Sequence, residues 1–209
     1  MSTAARIPPS EPLAPWAEIV TGAPFPMSVD DLLHWPDDDG YRYEVVEGVL
    51  VRVAGSGKKA TTIGLTIAAE LRAYARPRRF GVATPADGVY KFPGAETGLL
   101  PDAGYYIAAR DALVVDENKP IPFAPDLAAG VASPDQTQSD MDAKARVYLR
   151  GGTRLVWVVW PEREEVDVWR RASTARPAMT LARGDVLSGE DVIPGFALAV
   201  DEVFADPLA

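Results

Sequence analysis

Four segments carry the residues best able to do chemistry. They are Tyr41-Arg42-Tyr43-Glu44-Val45-Val46-Glu47-Gly48, Leu100-Pro101-Asp102, Asp126-Leu127-Ala128-Ala129-Gly130-Val131-Ala132-Ser133-Pro134, and Asp140-xxx-Lys144-xxx-Tyr148-Leu149-Arg150-Gly151-Gly152. Carboxylates and a lysine are the reactive types among them, and carboxylate oxygens suit hard divalent cations. Taken singly, each segment has an ordinary explanation. Pro-Asp is a common turn dipeptide, a hairpin glutamate usually faces solvent, and a helix lysine usually points at water. Their order and spacing are more specific than any one piece.

Composition removes several other chemistries. The 209 residues include no cysteine, which excludes a disulfide scaffold, a thiolate zinc site and a cysteine nucleophile. His34 is the only histidine, so zinc sites needing two or three imidazoles are excluded as well. It lies in Asp30-Asp31-Leu32-Leu33-His34-Trp35, just before Pro36, with no nucleophile-elbow motif elsewhere, and reads as a helix-end residue. The net charge of −9 repels nucleic acid at long range but still allows a local basic groove. Gly55-Ser56-Gly57-Lys58-Lys59 is not a phosphate loop: position 52 is Arg where the motif needs Gly, and Lys59 stands where Ser or Thr belongs. No apolar run reaches transmembrane length. Met1 to Arg6 lacks the basic start and apolar stretch of a signal peptide, so the cytoplasm is the expected compartment.

The four segments, in this order, resemble the bacterial putative-restriction-endonuclease family, a branch of the PD-(D/E)xK nucleases. The resemblance runs from about Ser28 to Phe204. It extends to Trp157-Val158-Val159-Trp160-Pro161, where the family usually has Asp in place of Trp160, and to the closing Ile193-Pro194-Gly195-Phe196-Ala197-Leu198-Ala199-Val200. It implies an α/β (mixed α+β) restriction-endonuclease-like core, a mixed central sheet flanked by helices, that cuts DNA phosphodiesters with Mg²⁺ or Mn²⁺. Asp102 would be the central metal ligand and Glu44 a second acidic group near the metal or its water. Lys144 would polarise the attacking water or stabilise developing charge. Asp140 and Tyr148 share the helical face of Lys144 at four-residue spacing and would orient it, or simply form a surface pair. Lys58 and Lys59 would lie on a flexible loop near DNA phosphates. Arg72, Arg76, Arg78 and Arg79 either touch phosphates or balance a helix dipole.

One departure bears on activity. The family's Glu-Val-x-Ser-Pro reads Gly130-Val131-Ala132-Ser133-Pro134 here, so one metal carboxylate is missing. The expected consequence is weak metal binding and impaired cleavage, unless Glu44, Glu47, Asp135 or a water compensates. The alternative is a catalytically degenerate nuclease fold that binds nucleic acid or a protein partner. A self-associating structural protein is a third class, and a homodimer stays open in each reading.

The elements that must position these residues follow from periodicity. Residues 1–26, with Pro8, Pro9, Pro12, Pro15, Pro24 and Pro26, read as a mobile or loosely docked arm, and 27–209 as the restriction-endonuclease-like domain. Ser28 caps a short helix that Pro36 ends. Tyr41 to Val53 alternates as a hairpin turning at Glu47-Gly48. Ile63, Ile67, Leu71 and Tyr74 stripe a helix over 60–76, stopped by Pro77. Strands are expected near 80–84, 88–92, 104–108 and 127–132. A helix follows over 140–150, capped by Ser139 and closed by Gly151 and Gly152. The apolar run Leu155–Trp160 reads as a buried central strand hairpinned to Val166–Trp169. One more strand near 179–182 and a short helix near 201–204 complete the chain.

Overall fold

The computed structural model describes residues 14–36, 40–53, 55–206 and 208. In chain order these form β1 (Glu18–Ile19), α1 (Val29–Leu32), β2 (Arg42–Val46), β3 (Val49–Val53), α2 (Lys58–Arg78), β4 (Gly81–Pro85), β5 (Tyr90–Lys91), β6 (Gly98–Leu99), β7 (Ala103–Ile107), a 3-10 helix (Ala108–Leu113), β8 (Leu127–Val131), α3 (Gln138–Arg150), β9 (Leu155–Trp160), β10 (Glu165–Arg170), β11 (Met179–Ala182), β12 (Val186–Ser188), β13 (Ala197–Ala199) and α4 (Val200–Val203).

The main sheet has six strands in the order β11-β10-β9-β8-β7-β4. Only β8 and β9 run parallel in it, because α3 crosses between them; the other neighbours are antiparallel. This is the mixed sheet flanked by helices expected from the sequence. Residues alternate between its faces. On one face, Ala103, Tyr105, Ala129, Val131, Trp157 and Val159 pack with Ile63, Ile67 and Leu71 of α2. On the other, Tyr106, Ala128, Val156, Val158 and Trp160 pack with Met141, Ala145, Tyr148 and Leu149 of α3, and with the β2–β3 hairpin. That hairpin belongs to a second sheet, β1-β3-β2-β6-β5. Its turn places both Glu47 and Gly48 at positive φ, 51° and 80°, the pairing a tight two-residue hairpin needs.

Asp126 and Asp102 sit at opposite ends of the antiparallel β7–β8 ladder. Asp126 precedes β8; its Oδ2 accepts from the Ile107 N–H at 2.9 Å and its Oδ1 from Arg110 Nη1 at 3.2 Å. Arg110 also reaches the Ala124 carbonyl at 2.9 Å and lies over the Phe123 ring at 3.9 Å.

Several expectations need correction. Helix α2 runs through Pro77 to Arg78 and ends at Arg79, in the left-handed region with φ 54°. A proline in the last turn removes one ladder bond and is tolerated there, whereas mid-helix it would not be. Helix α3 is capped by Thr137 rather than Ser139: Thr137 accepts from Asp140 N–H while the Asp140 carboxylate accepts from Thr137 N–H, a capping box. Lys58 and Lys59 are not on a flexible loop but open α2, with Gly57 as N-cap. Strands β12 and β13 were not anticipated; they are three residues each and, among the described residues, form a two-stranded sheet of their own. Residues 14–26 are not loosely docked. Ala14 and Trp16 are buried, and β1 pairs with β3 through Glu18↔Arg52 and Ile19↔Val51. Pro8, Pro9 and Pro12 lie outside the described residues. No helix among the described residues is long and apolar enough to cross a membrane.

Candidate functional site

The pocket lies where the C-terminal end of β8 and the N-terminal end of β7 meet β2 and α3. Arg42, Glu44, Asp102, Gly130, Lys144 and Tyr148 line it, with Leu100, Ser133 and Gln136 among their neighbours, around a space of about 30 Å³. Glu44, Asp102 and Lys144, far apart in sequence, are thus brought together, with Gly130 on the strand beside Asp102.

Backbone pairing sets most of this arrangement. The Asp102 N–H donates to the Ala129 carbonyl at 2.9 Å, and the Val131 N–H returns a bond to Asp102 Oδ2 at 2.8 Å. Helix α2 comes close through Gly64: a Cβ there would meet Asp102 Cβ at 3.1 Å and the Asp102 carbonyl at 3.2 Å. Strand period two puts Arg42 and Glu44 on one face of β2. Lys144 reaches the pocket from the middle of α3.

Each carboxylate already has a cation. Lys144 Nζ donates to Glu44 Oε1 at 2.9 Å, with the two side chains 13% and 2% exposed. Glu44 accepts two more bonds, from the Leu100 N–H to Oε1 at 3.1 Å and from Trp16 Nε1 to Oε2 at 3.0 Å. Trp16 therefore belongs to the site, and Lys144 Nζ stands 5.8 Å from its ring centroid. Arg42 Nη1 donates to Asp102 Oδ1 at 3.0 Å and Nη2 to the Leu100 carbonyl at 3.1 Å. Burial works against the Arg42 charge, but Asp102 and Glu44 more than offset it, and the guanidinium pKa lies above its ordinary value. Tyr148 Oη is buried with no hydrogen-bond partner among the described residues. Burial, reinforced by Glu44 and Asp102, pushes its phenol well above the ordinary value.

The remaining expected residues fall elsewhere. Among the described residues Asp140 neither bonds Lys144 nor forms an ion pair; its carboxylate accepts from Thr137 N and Oγ1 at 2.9 and 2.6 Å, because the helix N-terminus offers unpaired N–H groups nearby. Lys58 and Lys59 do not line the pocket. Lys59 bonds Glu162 at 3.1 Å and borders a neighbouring cavity of about 310 Å³ that shares Ser133 and Gln136 with the site. Arg76 and Arg78 lie in the last turn of α2, where they complement the helix dipole. Sequence reasoning passed over Arg42 and Trp16. The i,i+2 spacing of Arg42 and Glu44 was a usable signal; nothing around Trp16 marked it.

A divalent cation of the kind the resemblance implies needs oxygen ligands free to turn toward it. Asp102 gives one oxygen to Arg42 and the other to a backbone N–H, Glu44 accepts three donors, and Gly130 supplies no side-chain oxygen. Among the described residues no group of three or more His, Cys, Asp and Glu side chains gathers into a metal-holding cluster. The residues present do not fit such a centre. Room for the missing carboxylate persists, since a Cβ on Gly130 would meet only Met141 Cε, at 3.5 Å.

Comparison with known proteins agrees with the fold. The crystal structure of a "putative nuclease belonging to DUF820" from Anabaena variabilis superposes with a TM-score of 0.67 at 21% identity, covering 86% of this chain and 98% of that one. No curated protein matches. The model of the Uma2 family, described as "Putative restriction endonuclease", matches residues 29–201. With that match spanning most of the sequence, and the mixed sheet and pocket in place, the chain belongs to this restriction-endonuclease-like family.

Proposed function

We propose that this protein engages DNA phosphodiesters at the Glu44–Asp102–Lys144 pocket, as a nuclease whose cleavage is impaired by the absent carboxylate at Gly130. The observation that carries this reading is the convergence of the Lys144–Glu44 pair with Asp102 beside Gly130. Family membership supplies the reaction class, hydrolysis of a phosphodiester. Within it, Lys144 would stabilise the charge that develops on the phosphoryl oxygens, with Glu44 holding its ammonium in place. Asp102 would be the acidic group at the reacting centre, oriented by the Val131 N–H. Mg²⁺ and Mn²⁺ are the cofactors the family resemblance suggests, although the donor set present does not fit them.

Nicking of supercoiled plasmid by purified protein, with Mg²⁺, with Mn²⁺ and with chelator, tests this. Asp102→Asn and Lys144→Ala should each lower any nicking by about 100-fold or more. Wild-type rates in both variants would point to a contaminating nuclease and remove the reading. A second reading, a non-catalytic relative that binds nucleic acid or a protein, is favoured by Gly130 and by the Arg42–Asp102 pair. DNA binding without nicking under every condition would select its nucleic-acid form.

A further inference from the structure

Two cations and two carboxylates face one another in the pocket: Arg42 on Asp102 and Lys144 on Glu44. Their formal charges cancel. A divalent ion entering here would add charge where each acid is already neutralised, and would meet two positive groups at close range. The acidic position that would shift this balance is Gly130. Arg42 is also fixed from a second side, since Nη2 bonds the Leu100 carbonyl at 3.1 Å, so it is not a side chain swinging in solvent. The space left among these groups, about 30 Å³, is of the order of a single water.

We infer that Arg42 is the resident cation of this pocket, takes the place of a divalent ion on Asp102, and leaves the wild-type chain without appreciable Mg²⁺ or Mn²⁺ uptake there. The guanidinium supplies positive charge beside Asp102 without needing a second carboxylate, which Gly130 cannot give. Arg42 and Gly130 are therefore coupled. A carboxylate introduced at position 130 would first meet the Arg42 guanidinium and be paired by it, and only removal of that charge would open the acids to a metal.

Mn²⁺ uptake by the full chain, followed by electron paramagnetic resonance and calorimetry in the absence of DNA, tests the inference separately from the nuclease reading. Wild type should show no site tighter than about 1 mM, the weak end of oxygen-ligand sites. Gly130→Glu alone should gain little. Gly130→Glu combined with Arg42→Gln should bind at least about tenfold more tightly than Gly130→Glu alone. Circular dichroism checks each fold, and Gly130→Ala controls for adding a side chain at that position. A wild-type site below about 0.1 mM that Asp102→Asn, shown to be folded by circular dichroism, abolishes would overturn the inference. So would a Gly130→Glu protein that binds as tightly as the folded double variant, because Arg42 would then not be what excludes the ion.

Discussion

Asp126 and Asp102 are wired alike at the two ends of one ladder. Each gives one carboxylate oxygen to a backbone N–H of the neighbouring strand, Ile107 for Asp126 and Val131 for Asp102. Each gives the other oxygen to an arginine, Arg110 or Arg42, and each arginine also reaches the carbonyl two residues before its aspartate, Ala124 or Leu100. The surroundings differ. Arg110 lies against the Phe123 ring, and among the described residues no second ion pair adjoins it. Around Asp102 stand the Lys144–Glu44 pair and a glycine with room for a side chain; a buried tyrosine hydroxyl with no partner among the described residues lies near each end, Tyr105 by Asp126 and Tyr148 by Asp102. An aspartate–arginine clamp is thus a way of tying two strands together, and by itself says nothing about catalysis. What marks the Asp102 end is charge and polar capacity beyond what the fold needs.

The comparison can be broken most directly by truncating the two aspartates. Asp126→Ala leaves Arg110 and the Ile107 N–H without their acceptor and should cost about 3–4 kcal/mol. Asp102→Ala should cost about half as much, roughly 2 kcal/mol, because Arg42 retains Asp87 and Glu44 nearby. Urea denaturation of both variants decides this, and equal losses would mean the two clamps are energetically the same. A smaller effect sharpens the picture of the site end. Trp16→Phe keeps the buried ring but removes the N–H that Glu44 Oε2 accepts, and should lower stability by about 1 kcal/mol. Tyr148→Phe should change stability least, within about 0.5 kcal/mol, because the hydroxyl it removes has no partner to lose among the described residues. A loss above about 1 kcal/mol in the same assay would show that this hydroxyl is satisfied in solution.

The parts of the molecule that declared themselves in the sequence are those with local causes. Leu155–Trp160 is apolar throughout and stops at Pro161, and it forms the fully buried β9. Ser28 with Asp31, and the Glu47-Gly48 turn, are short-range signals and fold as such. The Thr137–Asp140 box is a signal of the same short-range kind, and it rather than Ser139 caps α3. Strands β12 and β13 escaped because three-residue strands carry almost no periodicity. In the site, motif order was enough to bring Glu44, Asp102 and Lys144 together. It could not assign Arg42, whose partner is 60 positions away. It also missed the way ion pairs and hydrogen bonds already engage oxygens that, counted as residue types, look available to a metal.

The docking of Trp16 on Glu44 means that the folded unit is longer than the stretch that carries the family pattern. Residues 29–201 match the family, yet a buried acid within that stretch is capped from outside it, thirteen positions upstream of where the match begins. A protease trimming from the N-terminus should therefore halt before Trp16, well short of the family boundary. A polypeptide started at residue 29 would keep every group of the four motifs. It would still present Glu44 with one bond fewer and with a hydrophobic notch where the indole had been, so a recombinant fragment cut to the family limits would be a poor substitute for the whole protein.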